Sequence, residues 1–228
     1  MTADRLGAVP ATATGRHALV VVPVGSLEQH GPHLPLDTDT RIAVAVARQV
    51  PNAWLAPAIA YGNSGEHEDF PGTVSIGAAA LEMVLVEYGR SVCRWADRVL
   101  FVNGHGGNIP AVRAATELLR YEARDVAWSP CAHAGADPHA GRTETSILLH
   151  LDADVVGDYR AVEPVSTPLA QLLPRLRTEG VRAVSPSGVL GDPAAATADE
   201  GRMILDAMRD DLIARVDRWL PDTSGRLG

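Results

Sequence analysis

The chain has no lysine: all 20 basic residues are arginine, set against 28 acidic ones. Alongside so much alanine, that bias reads as coding composition rather than function. Basic charge is scarce overall, and the net charge of −8 argues against a surface that tracks a phosphate backbone, so no nucleic-acid partner is expected. Cysteine is nearly absent. Cys93 and Cys131 are the only two, neither has a cysteine neighbour at metal-ligand spacing, and a pair of free thiols fits a reducing compartment. No apolar run approaches the roughly 20 residues needed to cross a bilayer. Met1 to Arg16 also lacks the apolar core of a signal peptide. These absences lead to the expectation of a cytoplasmic protein with no membrane partner.

What is present is ordinary globular material. The 228 residues are 46% hydrophobic, enough to bury a core without a covalent staple. Residues 1–16 mix Ala, Thr and Gly and read as a flexible arm. Residues 17–228 show no repeat and no interdomain linker, and read as a single domain. Strands are expected at 18–24, 54–59, 98–103 and 125–130. Helices are expected at about 40–50, 78–96, 109–123, 143–151, 167–178 (kinked at Pro174) and 195–219, with a short polar cap at Thr38 or Asp39. Strands alternating with helices imply a mainly parallel sheet covered on both faces. In such sheets chemistry gathers beyond the carboxyl ends of the strands.

Two loops fit that rule. The first strand stops at Gly25 and delivers Glu28-Gln29-His30-Gly31-Pro32-His33-Leu34-Pro35-Leu36-Asp37-Thr38-Asp39, and Val102-Asn103 runs into Gly104-His105-Gly106-Gly107-Asn108. With Glu144 near a later helix start, Glu28, His30, Asp39 and His105 form a set of oxygen and imidazole donors without thiolates. Such a set suits Zn(II), Fe(II), Mn(II) or Co(II). Three carboxylates and two neutral imidazoles carry a charge that two divalent ions and one bridging hydroxide would cancel. If Asp39 bridges, each ion receives three protein ligands and keeps a position open, the arrangement of a catalytic rather than a structural site.

These motifs, with Phe70-Pro71-Gly72-Thr73, His139-Ala140-Gly141 before Glu144-Thr145-Ser146, and Gly188-Val189-Leu190-Gly191-Asp192-Pro193, resemble the creatininase family over nearly the whole chain after residue 17. The resemblance implies a three-layer α/β/α sandwich, a pair of divalent ions and hydrolysis of C–N amide bonds. It also implies that Glu28 and His105 bind one ion, His30 and Glu144 the other, that Asp39 bridges, and that His139 shuttles a proton to the leaving nitrogen. Closed homo-oligomers such as hexamers are implied too. Creatinine-hydrolysing members carry His-Tyr-Glu where this chain has His105-Gly106-Gly107, so creatinine is not the expected substrate and Glu144 must replace the missing ligand. The opening run and the Gly-Gly-Asn loop are similar to the subgroup that trims a modified precursor peptide ending in Val-Tyr during redox-cofactor biosynthesis.

Each residue also has a plainer reading. Glu28 and His30 could end a strand and bond loop amides, Asp39 could be a helix cap, and Asp37 competes with it as ligand. Glu144 is favoured near a helix start by the dipole alone. His139 could be an ordinary loop histidine, and His33 reads as a supporting residue rather than a ligand. Glu66-His67-Glu68-Asp69 reads as a solvated acidic run from which His67 could reach the pocket. His17, His133 and His150 carry no functional expectation. Two other functions share the same donors: hydrolysis of a formamide or small cyclic amide, and a metal-binding scaffold without turnover.

Overall fold

The computed structural model describes residues 3–15, 18–165 and 167–228; His17 lies outside them. Five strands form one wholly parallel sheet: β1 (Asp4–Arg5), β2 (Leu19–Val24), β3 (Ala53–Leu55), β4 (Arg98–Asn103) and β5 (Val126–Pro130), in the order β1-β3-β2-β4-β5. β2 alternates cleanly. Val21 faces one core with Leu100, Val102 and Ala127, while Val20, Val22 and Val24 face the other with Val99 and Phe101. Both faces are apolar, as a parallel sheet covered on both sides requires.

α1 (Thr38–Ala47), α4 (Arg142–Leu151) and α6 (Ala198–Arg218) cover the first face through Ile42, Val46, Ile147, Leu148, Ile204, Met208 and Leu212. α2 (Gly77–Val92) and α3 (Ile109–Tyr121) cover the second through Leu81, Leu85, Val112, Ala115 and Leu119. The result is the expected α/β/α sandwich. No helix among the described residues is long and apolar enough to cross a membrane.

The strand order determines where a site can form. The chain leaves β2 for β3 on one side and returns to β4 on the other, so β2 and β4 flank the point where the connections diverge. Val24 pairs in register with Asn103, so Gly25 and Gly104 leave the sheet side by side. The first turn of α1 sits on both. A Cβ on Gly25 would lie 2.5 Å from the Thr40 Cα, and one on Gly104 would lie 2.4 Å from the Asp39 carbonyl oxygen. Glycine is required there by close approach of backbone.

Four local expectations are revised. Residues 3–15, expected as a loose arm, carry the edge strand β1 and two short 3-10 turns, with Ala3 packed against the core. The strand expected at 54–59 is regular only over Ala53–Leu55, and Pro57 interrupts it before Ile59 bridges Val24. In α5 (Leu169–Val184) the non-helical torsions fall at Gly180, with φ of 75°, rather than at Pro174. A Cβ at Gly180 would come within 3.2 Å of the Glu66 carbonyl oxygen, so the helix breaks where it approaches the turn Gly65–His67. The α1 cap position is Asp37, whose carboxylate accepts from Arg41 at 2.7 Å instead of capping the helix.

Gly201 in α6 is packed so closely that a Cβ would stand 1.8 Å from the Ser146 carbonyl oxygen of α4. Ala has the better helix propensity by about 1 kcal/mol, but overpacking costs about 1–3 kcal/mol. Gly201→Ala is therefore expected to lower the melting temperature by several degrees. Gly65→Ala, whose Cβ meets nothing within 4 Å, should leave it unchanged. Calorimetry of the two variants checks the contrast.

Candidate metal centre

The loop after β2 brings Glu28 and His30 over the crevice, α1 points Asp39 down into it, and the loop after β4 adds His105. All four side chains are buried, Asp39 to 2% exposure and Glu28 and His30 completely. Asp39 lies at the centre. Its Oδ1 is 3.3 Å from His30 Nε2 and its Oδ2 is 3.2 Å from His105 Nδ1. His105 Nε2 lies 3.2 Å from Glu28 Oε2, and His30 Nε2 lies 3.8 Å from Glu144 Oε2. All five residues singled out from the sequence thus meet around one carboxylate. Asp37, the rival to Asp39, points away toward Arg41.

Ligand atoms of Glu28, Asp39 and His105 fall within 4.8 Å of one another, as do those of His30, His139 and Glu144. A third group joins Glu28 and His139 to His67. His67 is buried, and its Nε2 is 3.3 Å from Glu28 Oε1. The run reads from sequence as solvated, with His67 as the residue that could reach the pocket, and the 3-10 turn Gly65–His67 does turn that side chain inward.

Ser26, Ser64 and Gln29 are supporting residues that the sequence reading did not single out. The Ser26 hydroxyl donates to Asp39 Oδ2 at 2.6 Å, and the Ser64 hydroxyl donates to Glu28 Oε2 at 2.5 Å. Gln29, hidden between Glu28 and His30, holds two imidazoles. Its side-chain amide donates to His67 Nδ1 at 2.8 Å, and its backbone carbonyl accepts from His139 Nε2 at 2.8 Å. His139 Nε2 also lies 3.0 Å from the Gln29 side-chain nitrogen, and its Nδ1 turns into the site, 3.8 Å from Glu28 Oε1. His30 Nδ1 donates to the Glu28 carbonyl at 3.1 Å and His105 Nε2 donates to the Asn63 carbonyl at 2.9 Å. Each ring keeps its other nitrogen aimed at Asp39, the support that metal-ligating histidines usually receive. His33 bonds Thr145 Oγ1 at 2.9 Å, a supporting contact beside Glu144.

A family profile described as Creatininase, creatinine amidohydrolase, matches residues 8–216. The chain belongs to the creatininase family. It is 57% identical over 220 residues to a Mycobacterium ulcerans protein named mycofactocin precursor peptide peptidase, covering 91% of this chain and 88% of that one. It is 58% identical over 221 residues to a Mycobacterium tuberculosis protein of the same name, with coverage of 91% and 88%. A solved mutant creatininase, described as the Zn–Zn type, superposes with a TM-score of 0.78 at 25% identity, covering 97% of this chain and 100% of the other.

Within this creatininase framework glycine at position 107 has a structural reason, whereas a Cβ on Gly106 would meet nothing within 4 Å. A Cβ on Gly107 would meet both the Asn63 carbonyl oxygen and His105 Nε2 at 2.4 Å. Glu66 comes up beside it instead, its Oε1 3.6 Å from His105 Nε2. Asp39, His67, His105, His139 and Glu144 line a cavity of about 970 Å³ that reaches to α5, while Glu28 and His30 lie buried behind them.

The donor set fits divalent cations. Glu28 Oε1 is buried and accepts no hydrogen bond, an arrangement that is costly unless a cation compensates it. Without one, protons fill that role. Burial pushes Glu28 up to about 7 although His105 opposes it, and burial likewise pushes Glu144 to about 7. Burial works against charge on His30 and His105, yet their carboxylate partners, Asp39 and Glu144 for one and Glu28 and Asp39 for the other, raise both to about 10. Burial also works against charge on Asp39, but the two imidazoles hold it well below the carboxylate range. Burial, then the neighbouring cationic rings, drives His67 down to about 3 and His139 well below an ordinary histidine, so both stay neutral.

These shifts set a pH dependence. Glu28 and Glu144 bind protons more tightly folded than unfolded between pH 4.5 and about 7, and His30 and His105 do so between 6.5 and about 10. Stability of the metal-free chain therefore falls as pH rises from 6.5 to about 10. Below 6.5 the fall from Glu28 and Glu144 is opposed by His33, His67 and His139, which burial holds neutral and whose share of stability grows with pH, and Asp39 withdraws stability only below its ordinary 3.8. A divalent cation competes with the same protons. The melting temperature of chelated protein is expected to drop from pH 6.5 to 10, and the increment from added Zn²⁺ or Mn²⁺ to grow over that range. A metal increment independent of pH would contradict this.

Proposed function

We propose that the chain is a metal-dependent peptidase that cleaves the modified mycofactocin precursor peptide and releases its C-terminal Val-Tyr-derived product. The observation that carries this reading is the pair of donor groups on either side of buried Asp39, in a chain 57–58% identical to proteins named for that reaction. Glu28, Asp39 and His105 would hold one divalent ion, and His30 and Glu144 together with Asp39 would hold the other. Fe(II) and Zn(II) suit these ligands, and Mn(II) is accommodated by the same set. When bound, the ions supply a nucleophile at neutral pH and polarise the scissile carbonyl.

The chain's own side chains do the rest. His139 is neutral and turns Nδ1 into the cavity, so that nitrogen takes a proton and passes it to the leaving amine. Gln29 holds the ring in that orientation through its backbone carbonyl. Ser26 and Ser64 donate to Asp39 and Glu28 and keep both carboxylates turned inward. The concave site excludes bulk water from the reacting amide. No serine or cysteine nucleophile is required: Ser26 is spent on Asp39, and Cys131 has its thiol pushed by burial up to about 12. The working protein is a cytoplasmic homo-oligomer, a hexamer or another closed ring, with no nucleic-acid or membrane partner.

His105→Ala is expected to abolish peptide hydrolysis and to lower metal content while circular dichroism stays folded. His139→Ala should reduce kcat by about 10²–10⁴-fold with metal content unchanged; a loss of metal would make His139 a ligand rather than a proton carrier. Mass spectrometry of the metal-loaded protein with the modified peptide, a formamide and creatinine tests the substrate class. Turnover of the formamide alone would move the assignment to a deformylase. Tight metal binding with no amide cleaved would make the protein a scaffold.

A further inference from the structure

Glu28 uses its two carboxylate oxygens differently. Oε2 accepts from the Ser64 hydroxyl at 2.5 Å and lies 3.2 Å from His105 Nε2. Oε1 is buried and accepts no hydrogen bond, and two imidazoles are turned toward it: His67 Nε2 at 3.3 Å and His139 Nδ1 at 3.8 Å. The reaction above uses His139 and leaves His67 without a task. Yet His67 is only 4% exposed and lines the cavity, and its turn is held from outside by α5. Arg182 donates to the Asp69 carbonyl at 2.7 Å and lies over the Phe70 ring, and the break at Gly180 lets the helix approach the Glu66 carbonyl. Gln29 sets the polarity of the ring. Its carboxamide oxygen accepts from the Gly31 amide at 2.9 Å, and its carboxamide nitrogen donates to the Gly188 carbonyl at 3.2 Å. The end that meets His67 Nδ1 at 2.8 Å is therefore the donor, so a neutral His67 keeps its own hydrogen on Nε2, the nitrogen that faces Glu28.

We propose that His67 is a positioning residue of the metal centre: its Nε2–H, aimed by Gln29, holds the free oxygen of Glu28 and thereby sets the affinity of the ion that Glu28 shares with Asp39 and His105. The proposal rests on the reading of Glu28 as a ligand and is independent of which amide is cut. A carboxylate tethered through one oxygen can swing between one-oxygen and two-oxygen coordination. A donor on Oε1 removes that freedom and leaves Oε2 as the ligand oxygen, and donors behind ligands in this way are worth about 10–100-fold in metal affinity. His67 Nε2 and Glu28 Oε1 stand 3.3 Å apart without the alignment of a hydrogen bond, a separation that a small torsion of the carboxylate closes. The influence is one-sided. His67 meets Glu28 directly, whereas His30 is reached only through His139, whose ring lies 4.4 Å from His67 and 4.3 Å from His30.

The experiment is a chelator-competition titration of metal-stripped protein with Zn²⁺, repeated with Co²⁺ by visible absorption, and it needs no peptide. Wild type should take up two ions. His67→Leu, which fills the space without a donor, should weaken one of the two by about 10–100-fold, leave the other unchanged, and alter the absorption of one cobalt. His67→Gln, whose amide offers a donor toward Glu28 and an acceptor toward Gln29, should restore both. Should the leucine variant unfold, His67→Asn takes its place, since its amide is one methylene too short to reach Glu28. Equal weakening of both ions, no weakening of either, or a glutamine variant no better than the leucine or asparagine one overturns the role of His67 and leaves the metal centre standing. Wild type that binds neither ion, or a Glu28→Gln variant that binds both like wild type, overturns the reading of Glu28 as a ligand, and the role of His67 falls with it.

Discussion

Asp39 is a fully enclosed carboxylate, and the site is organised around keeping it charged. A lone anion at that depth would be expensive. Here it is flanked by His30 and His105, accepts from the Ser26 hydroxyl, and lies in the first turn of α1, where the helix dipole favours negative charge. Protons or divalent cations can complete that compensation equally in sign. The same donors can therefore be compensated by protons or by a metal ion.

The fold makes this arrangement through backbone proximity. In-register pairing of β2 with β4 places two loop origins in contact, and Gly25 and Gly104 let the start of α1 settle onto both. Side chains from three segments then converge within a few ångströms although they are up to 116 positions apart along the chain, from Glu28 to Glu144. Gln29 links this cluster to its outer layer. One amide side chain and one carbonyl orient His67 and His139, so the residue between two candidate ligands governs two further imidazoles.

The creatininase relationship and the local departures from it fit together. The resemblance read from sequence implies a donor at Gly106-Gly107 in creatinine-hydrolysing members, and this chain has no side chain there. In this chain the neighbouring space is taken by Asn63 and Glu66, and Glu144 approaches His30 from α4. A substrate difference within one family is expected from such a change, because fold constrains the metal geometry more tightly than it constrains the wall.

Hydrophobic periodicity was enough to read most of the elements, since alternation in β2 and β4 and the three-to-four spacing in α2 and α6 follow from burial alone. The donors at Glu28, His30, Asp39 and His105 were legible because glycine-rich loops directly after strands leave histidine and carboxylate little structural purpose. Sequence could not decide which of Glu66, His67, Glu68 and Asp69 turns inward, where α5 breaks, or that an apparent N-terminal arm adds an edge strand. Those outcomes depend on what each segment packs against. The order of residues thus determined the element types and the chemical inventory, both of which are local properties. Only the tertiary structure decided the neighbours of Asp39 and the contacts that Gln29 makes to His67 and His139, because distances between remote side chains are set by sheet order and helix docking.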